Sequence, residues 1–143
     1  MTALYDDQNV FAKILRGELP ANKVYEDDKT LAFMDIMPRI DGHTLVVSKA
    51  ASRNIYDIDM SDLVAVMGTV QKIAWAMRTA FAADGITIQH FCESAGGQMV
   101  FHTHFHLLPR HEGVKLNPRT NQMADNAVLA ANAEKLRLVL GSE

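Results

Sequence analysis

The stretch FHTHFHLLPR, residues 101–110, constrains this chain more than any other. Histidines stand at every second position, 102, 104 and 106, and the row stops at Pro109. Side chains of an extended strand alternate between its faces. His102, His104 and His106 therefore share one face, and Phe101, Thr103, Phe105 and Leu107 share the other. The chain must present a row of imidazoles on an apolar backing.

The rest of the sequence supplies a sheet for that strand to join. NVFAKILRGELP (residues 9–20) predicts a short helix at an edge of the core. Asn9 is its cap, Val10, Phe11, Ile14 and Leu15 lie on one side, Gly17 is past the end and Pro20 beyond. KVYE and TLAFMDI read as two strands joined across Asp27 and Asp28; Pro38 and Gly42 mark a loop before HTLVVSK, a third strand of an antiparallel meander. In SDLVAVMGTVQKIAWAMRTAF the residues Leu63, Val66, Met67, Val70, Ile73, Met77 and Phe81 recur at helical spacing, with Ser61 or Asp59 as cap and Gly85 as stop. ITIQHFC is a fourth strand, SAGGQ a turn and MVFHTHFHLL a fifth strand; residues 125–140 predict a final helix. The expected fold is α+β, a single sheet with helices on one side.

A length of 143 residues with 48% hydrophobic content suits one domain over residues 1–143. The net charge of −3, with scattered Lys and Arg, offers no footprint for a nucleic-acid backbone. No apolar run approaches the roughly 18 residues that span a bilayer. Cys92 is the single cysteine and MTALYDDQN is acidic where a secretory signal would be basic, so a cytoplasmic location is expected.

Three chemistries compete for the histidine row. One is a solvated strand face without function. A second is a transition-metal site, but three rings on one straight strand span about 13 Å between outer Cα atoms, so one ion would need His43 or a carboxylate beside two of them. The third is phosphate chemistry: a neutral imidazole is a competent nucleophile, and flanking rings can hydrogen-bond phosphate oxygens or protonate a leaving group. Just upstream, Gly96, Gly97 and Gln98 form a turn whose amides could converge on an anion.

GGQMVFHTHFHLLPR resembles the signature of the histidine triad family, His-x-His-x-His followed by apolar residues. FAKILRGELPANKVYEDDKTLAFMDIMPRIDGHTLVVSK is similar to the N-terminal half of the same family, in its bacterial Hint-like branch. The resemblance covers about residues 8–111 and leaves 112–143 as a C-terminal extension. It implies a five-stranded antiparallel sheet with two main helices, pairing as a homodimer into a ten-stranded sheet. It also implies attack on the α-phosphorus of a purine nucleotide conjugate through a nucleotidyl-histidine, with no cofactor required. By the same resemblance His104 is the nucleophile, His106 the ring nearest the leaving group, His102 the first histidine of the motif, and His43 a fourth that orients the cluster. Asp35 accepts the ribose hydroxyls; Phe11, Ile14, Phe33 and Ile36 surround the base; Gly97 and Gln98 belong to the phosphate-binding turn.

Some family features are missing. Phe91 and Glu93 stand where many members have Asn and Gly, so ribose or phosphate contacts there do not carry over. Met99 replaces a Ser or Thr, which leaves phosphate binding to backbone amides. The first three ligand positions of a structural zinc found in some bacterial members are Asn9, Ala12 and Ala51, so that site is expected to be absent and no metal is assigned. Two rival functions remain on the sequence: a nucleotide-binding regulatory module with little activity, and a zinc hydrolase. The leaving group and the base are left open.

Overall fold

The structure, a computed structural model, describes residues 4–119 and 122–141. Three strands follow one another where alternation and turn residues place them: β1 Lys23–Glu26, β2 Thr30–Met34 and β3 Thr44–Ser48. The Asp27 carboxylate closes the first hairpin, accepting hydrogen bonds from the Lys29 and Thr30 amides at 2.9 and 2.7 Å. With β4 Gly85–Gln89 and β5 His104–Arg110 they form a five-stranded sheet in the order β1-β2-β3-β5-β4, antiparallel at every pairing. Every residue of β2 and β3 is buried, as their near-continuous apolar runs require of strands covered on both faces.

Helix α2, Met60–Ala80, buries Val66, Thr69, Val70, Ile73, Ala76 and Met77. These pack with Ala32, Met34, Val46, Phe105 and Leu107 on one sheet face, joined by Leu129, Ala133 and Leu136 of helix α3, Asn126–Gly141. Met67, expected on the buried side, turns outward and is 39% exposed. The other face departs from the expectation of helices on one side. There the short helix α1, Val10–Leu15, covers the sheet, packing Phe11 and Ile14 on Leu31, Phe33, Leu45 and Val47. Asn9 caps it by accepting the Ala12 amide at 2.9 Å. None of the described helices is long and apolar enough to cross a membrane.

The fifth strand differs from its predicted span. Residues 99–103 bend, because the Thr103 amide is drawn to the Ser52 carbonyl at 2.9 Å and its hydroxyl to Ser52 Oγ at 2.6 Å. The ladder begins only at His104, paired with Val47. It then runs through Pro109. Leu107 is the last β5 residue paired with β3, so the N–H that proline lacks falls where no β3 partner remains.

Candidate active site

His104 and His106 pair in register with Val47 and Leu45, which puts the two rings on the α1 face with centroids 5.1 Å apart. Each ring's tautomer follows from fixed partners. His104 Nδ1 lies 2.6 Å from the His102 carbonyl oxygen and must donate to it, which leaves the Nε2 lone pair for chemistry. The Arg39 amide donates to His43 Nδ1 at 3.1 Å, so His43 carries its proton on Nε2 and donates it to His106 Nδ1 at 3.0 Å. His106 is thereby a donor at Nε2. Among the described residues the only buried side-chain polar atoms without a partner are Ser48 Oγ and Arg110 Nε. The unpartnered Nε2 atoms of His104 and His106 are thus open to solvent.

His102 does something else. Its Nε2 donates to the Ser48 carbonyl at 2.6 Å and its Nδ1 accepts from the Tyr5 hydroxyl at 2.6 Å, which itself accepts from Asn9 Nδ2 at 3.0 Å. With both nitrogens engaged and the side chain buried, His102 acts on the site through its carbonyl, which orients His104.

Electrostatics keep the rings neutral. Burial depresses His104 to about 4 against the opposing His102 hydrogen bond, and depresses His102 as well. His43 is lowered to about 4 by burial, then by Arg39 and Arg119; His106 to about 3 by burial, then by His104, His43 and Arg119. Asp35, just past β2, is raised to about 6 by burial, which outweighs the Met37 amide on its Oδ1 at 2.8 Å. Its Oδ2 lies 3.4 Å from His43 Nε2 and 4.0 Å from His106 Nδ1. One carboxylate and two imidazoles thus meet within 4.8 Å.

The apolar positions assigned to the base are mostly core. Phe11, Ile14 and Phe33 are buried and only Ile36 is exposed. Phe11 meets Phe33 edge-on at 5.5 Å and His104 at 4.8 Å, so it forms the wall against which the His104 ring rests.

The glycine turn is the main correction. Its amides do not converge on an anion: Gly96 and Gln98 donate to the Glu93 carbonyl at 2.9 and 3.0 Å, and Gly97 to Ser94 at 3.0 Å. The Gln98 side chain is no free phosphate contact either. Its Oε1 accepts from Asn54 and the Glu93 amide, and its Nε2 donates to the Arg53 and Val100 carbonyls, which uses its whole capacity inside the loop. Gly97 is needed for its φ of +97° and because a Cβ there would stand 3.2 Å from the Phe91 ring. Glu93 holds φ +63°, ψ 166°, backbone that strongly favours glycine; its carboxylate is turned into Arg53 at 2.7 and 3.0 Å. The amides of Met99 and Val100 have no partner among the described residues.

Two further rings border the site: His90, which carried no sequence signal, and Phe91, which the sequence marked only as a departure from the family. His90 donates from Nδ1 to the His104 carbonyl at 2.9 Å and accepts the Ile55 amide at Nε2. Phe91 meets the His106 ring at 5.4 Å. Of the positions matched to a structural zinc, Asn9 is spent on capping, and Ala12 and Ala51 offer no donor side chain, so the group does not fit. A cavity of about 560 Å³ lined by Arg39, Phe81, Lys115 and Lys135 includes none of His43, His102, His104 and His106. Chemistry rather than volume locates the site.

Comparison with known proteins agrees with this fold. The HIT domain model matches residues 16–113. A crystal structure of a Hit-like protein involved in cell-cycle regulation from Bartonella henselae is 48% identical, with a TM-score of 0.91 over 96% of this chain and 99% of that one. A HIT family hydrolase from Clostridium thermocellum is 32% identical, with a TM-score of 0.67 over 77% of this chain and 96% of that one. Adenylylsulfatase HINT3 of Arabidopsis thaliana is 37% identical over 103 residues, 72% of this chain and 52% of that protein. A matched family model, a five-stranded antiparallel sheet and histidines 102, 104 and 106 at and just before the start of β5 make this chain a member of the histidine triad family.

Proposed function

We propose that the chain is a nucleotide hydrolase or transferase that acts on a purine nucleotide conjugate through a nucleotidyl-histidine. The observation that carries this reading is the pair of tautomers: His104 has an Nε2 lone pair, and His106, 5.1 Å away between centroids, has an Nε2–H. His104 Nε2 attacks the α-phosphorus; the P–N bond forms and the bond to the leaving group breaks. His106 Nε2–H hydrogen-bonds the departing atom and gives up its proton if that group is an amine. Water then cleaves the P–N bond, its hydroxyl going to phosphorus and its proton going to His106 where that ring had given one up, or to solvent where the group left as an anion. A neutral nucleophile suits this role, since protonation would remove the lone pair, and burial prevents that at physiological pH.

Asp35 receives the ribose hydroxyls in this reading, and the free amides of Met99 and Val100 take the place of the glycine turn as phosphate donors. The working form is a homodimer in the cytoplasm. Edge strand β4 with Ile88, and the outer face of α2 with Val64, Met67 and Trp75, supply exposed apolar surface for a second copy. A second reading, a zinc hydrolase, is supported by the meeting of Asp35, His43 and His106.

Brief incubation with an α-labelled nucleotide phosphoramidate, denaturation without acid and intact-mass measurement test the mechanism. An adduct is expected on the wild type and none on His104→Ala, whose turnover should fall by several orders of magnitude; His106→Asn should slow it less. An adduct elsewhere, or full turnover by His104→Ala, overturns the reading.

A further inference from the structure

Asn117 and Ala124, after β5, are tied to the loop between β2 and β3. The Asn117 amide donates to the Arg39 carbonyl at 2.7 Å, Arg39 Nε donates to the Asn117 carbonyl at 3.0 Å, and the Ala124 amide donates to the Ile36 carbonyl at 2.9 Å. Between these ties stands Arg119, its guanidinium carbon 5.2 Å from the centre of the Phe91 ring, which in turn meets His106. Arg119 has no carboxylate or hydrogen-bond partner among the described residues. It also lies outside residues 16–113, the part shared with the family model.

Its position along the sheet matters. Phe33 lies in β2 with Asp35 just past its end, His104 and His106 lie in β5, and Phe91 follows β4 at the far edge. A nucleoside on the β2 side with its α-phosphorus over His104 directs its leaving group past His106 toward Phe91 and Arg119. The rings themselves offer that group no positive charge, because burial keeps them neutral. Arg39, the other nearby arginine, has its Nε committed to Asn117. The field of Arg119 is felt at both His43 and His106.

We propose that Arg119 binds an anionic leaving group, so that this enzyme prefers nucleotides whose α-phosphate is joined to a second phosphoryl or sulfuryl group over those joined to an amine. This rests on the nucleotidyl-transfer reading above. A guanidinium is always charged and fits phosphate or sulfate oxygens through paired N–H groups. An anionic group also leaves without a proton, which matches a site whose imidazoles carry no extra one. Stacking on Phe91 alone would give Arg119 no such selectivity.

The test compares kcat/KM for diadenosine tetraphosphate, adenylylsulfate and an adenosine alkylphosphoramidate in the wild type, Arg119→Ala and Arg119→Lys. The ratio of the better anionic substrate to the phosphoramidate should fall at least tenfold in Arg119→Ala and be largely recovered by Arg119→Lys. The two anionic arms separate a phosphoryl from a sulfuryl source. An unchanged ratio overturns the proposal, even if all rates fall together. A wild type that turns over none of the three overturns the nucleotidyl-transfer reading instead; Arg119 is then judged by calorimetric binding of ADP against AMP. There Arg119→Ala should reduce the preference for ADP at least tenfold, and an unchanged preference rejects the proposal.

Discussion

His104 Nδ1 lies 2.6 Å from the carbonyl oxygen of His102, so the strand's own backbone decides which nitrogen of the middle ring is left to react. The His102 ring is pinned in turn between Ser48 and Tyr5, and the His104 carbonyl is held by His90. Orientation of the His104 ring is therefore distributed over several residues beyond the strand that carries it.

Tyr5→Phe should loosen that support. Removing the hydroxyl leaves the buried His102 Nδ1 without its donor, at a cost of about 1–3 kcal/mol. Urea unfolding should show the loss, and turnover should fall severalfold while the adduct still forms on His104. Unchanged stability would mean the 2.6 Å contact contributes nothing.

Asp35→Asn should weaken binding of adenosine, chosen because it has no phosphate to titrate, at least tenfold at pH 7.5. Only the ionised carboxylate accepts from both ribose hydroxyls, and burial raises Asp35 to about 6. Wild-type affinity should therefore fall as pH drops through 6, and the Asn variant should show no such dependence. A flat wild-type profile in isothermal titrations from pH 5 to 7.5 would remove Asp35 from ribose binding.

Acid should destabilise the fold through its histidines. A ring with a lowered folded pKa contributes stability that is present above its unfolded value of 6.5 and is lost as pH falls through the folded value. For His104, with a folded value of about 4, the loss between pH 6.5 and 4 is on the order of 3 kcal/mol. His43, His102 and His106 act in the same direction. Asp35 acts oppositely, its contribution being complete below 3.8 and lost as pH rises through about 6. Four rings outweigh one carboxyl, so unfolding free energy should drop between pH 7 and pH 4, and His104→Gln should drop less. An identical slope in the two proteins would contradict the burial of a neutral ring.

Chelation separates the metal reading from the metal-free one. His43 Nε2 and His106 Nδ1 are already joined by a 3.0 Å hydrogen bond, which a shared ion would replace. Phosphoramidate hydrolysis should persist in EDTA. Activity lost in EDTA and regained with zinc would move Asp35, His43 and His106 into a metal centre.

Light scattering at micromolar concentration should give about twice the chain mass of 15.9 kDa. Trp75→Glu, on the exposed face of α2, should shift the protein toward the single-chain mass. A monomeric wild type would require another role for that apolar face.

Local periodicity alone determined most of the elements. Period two set the imidazole face of β5, period 3.6 set α2, and Asp27, Pro38 and Gly42 marked the turns, because strand and helix geometry are properties of neighbouring residues. Adjacency across the chain is not. The Tyr5–His102 bond joins residues 97 apart and the His43–His106 bond residues 63 apart, and only packing of the sheet brings them together. The same holds for Gln98, whose amide reads as a phosphate contact beside two glycines until Asn54 and Arg53, brought in after β3, consume it. Arg119 is the clearest case: no pattern around it distinguishes it from other surface arginines. Two hydrogen bonds between Asn117 and Arg39 bring its segment over Phe91, and tertiary structure alone decides that its charge lies beside the histidines.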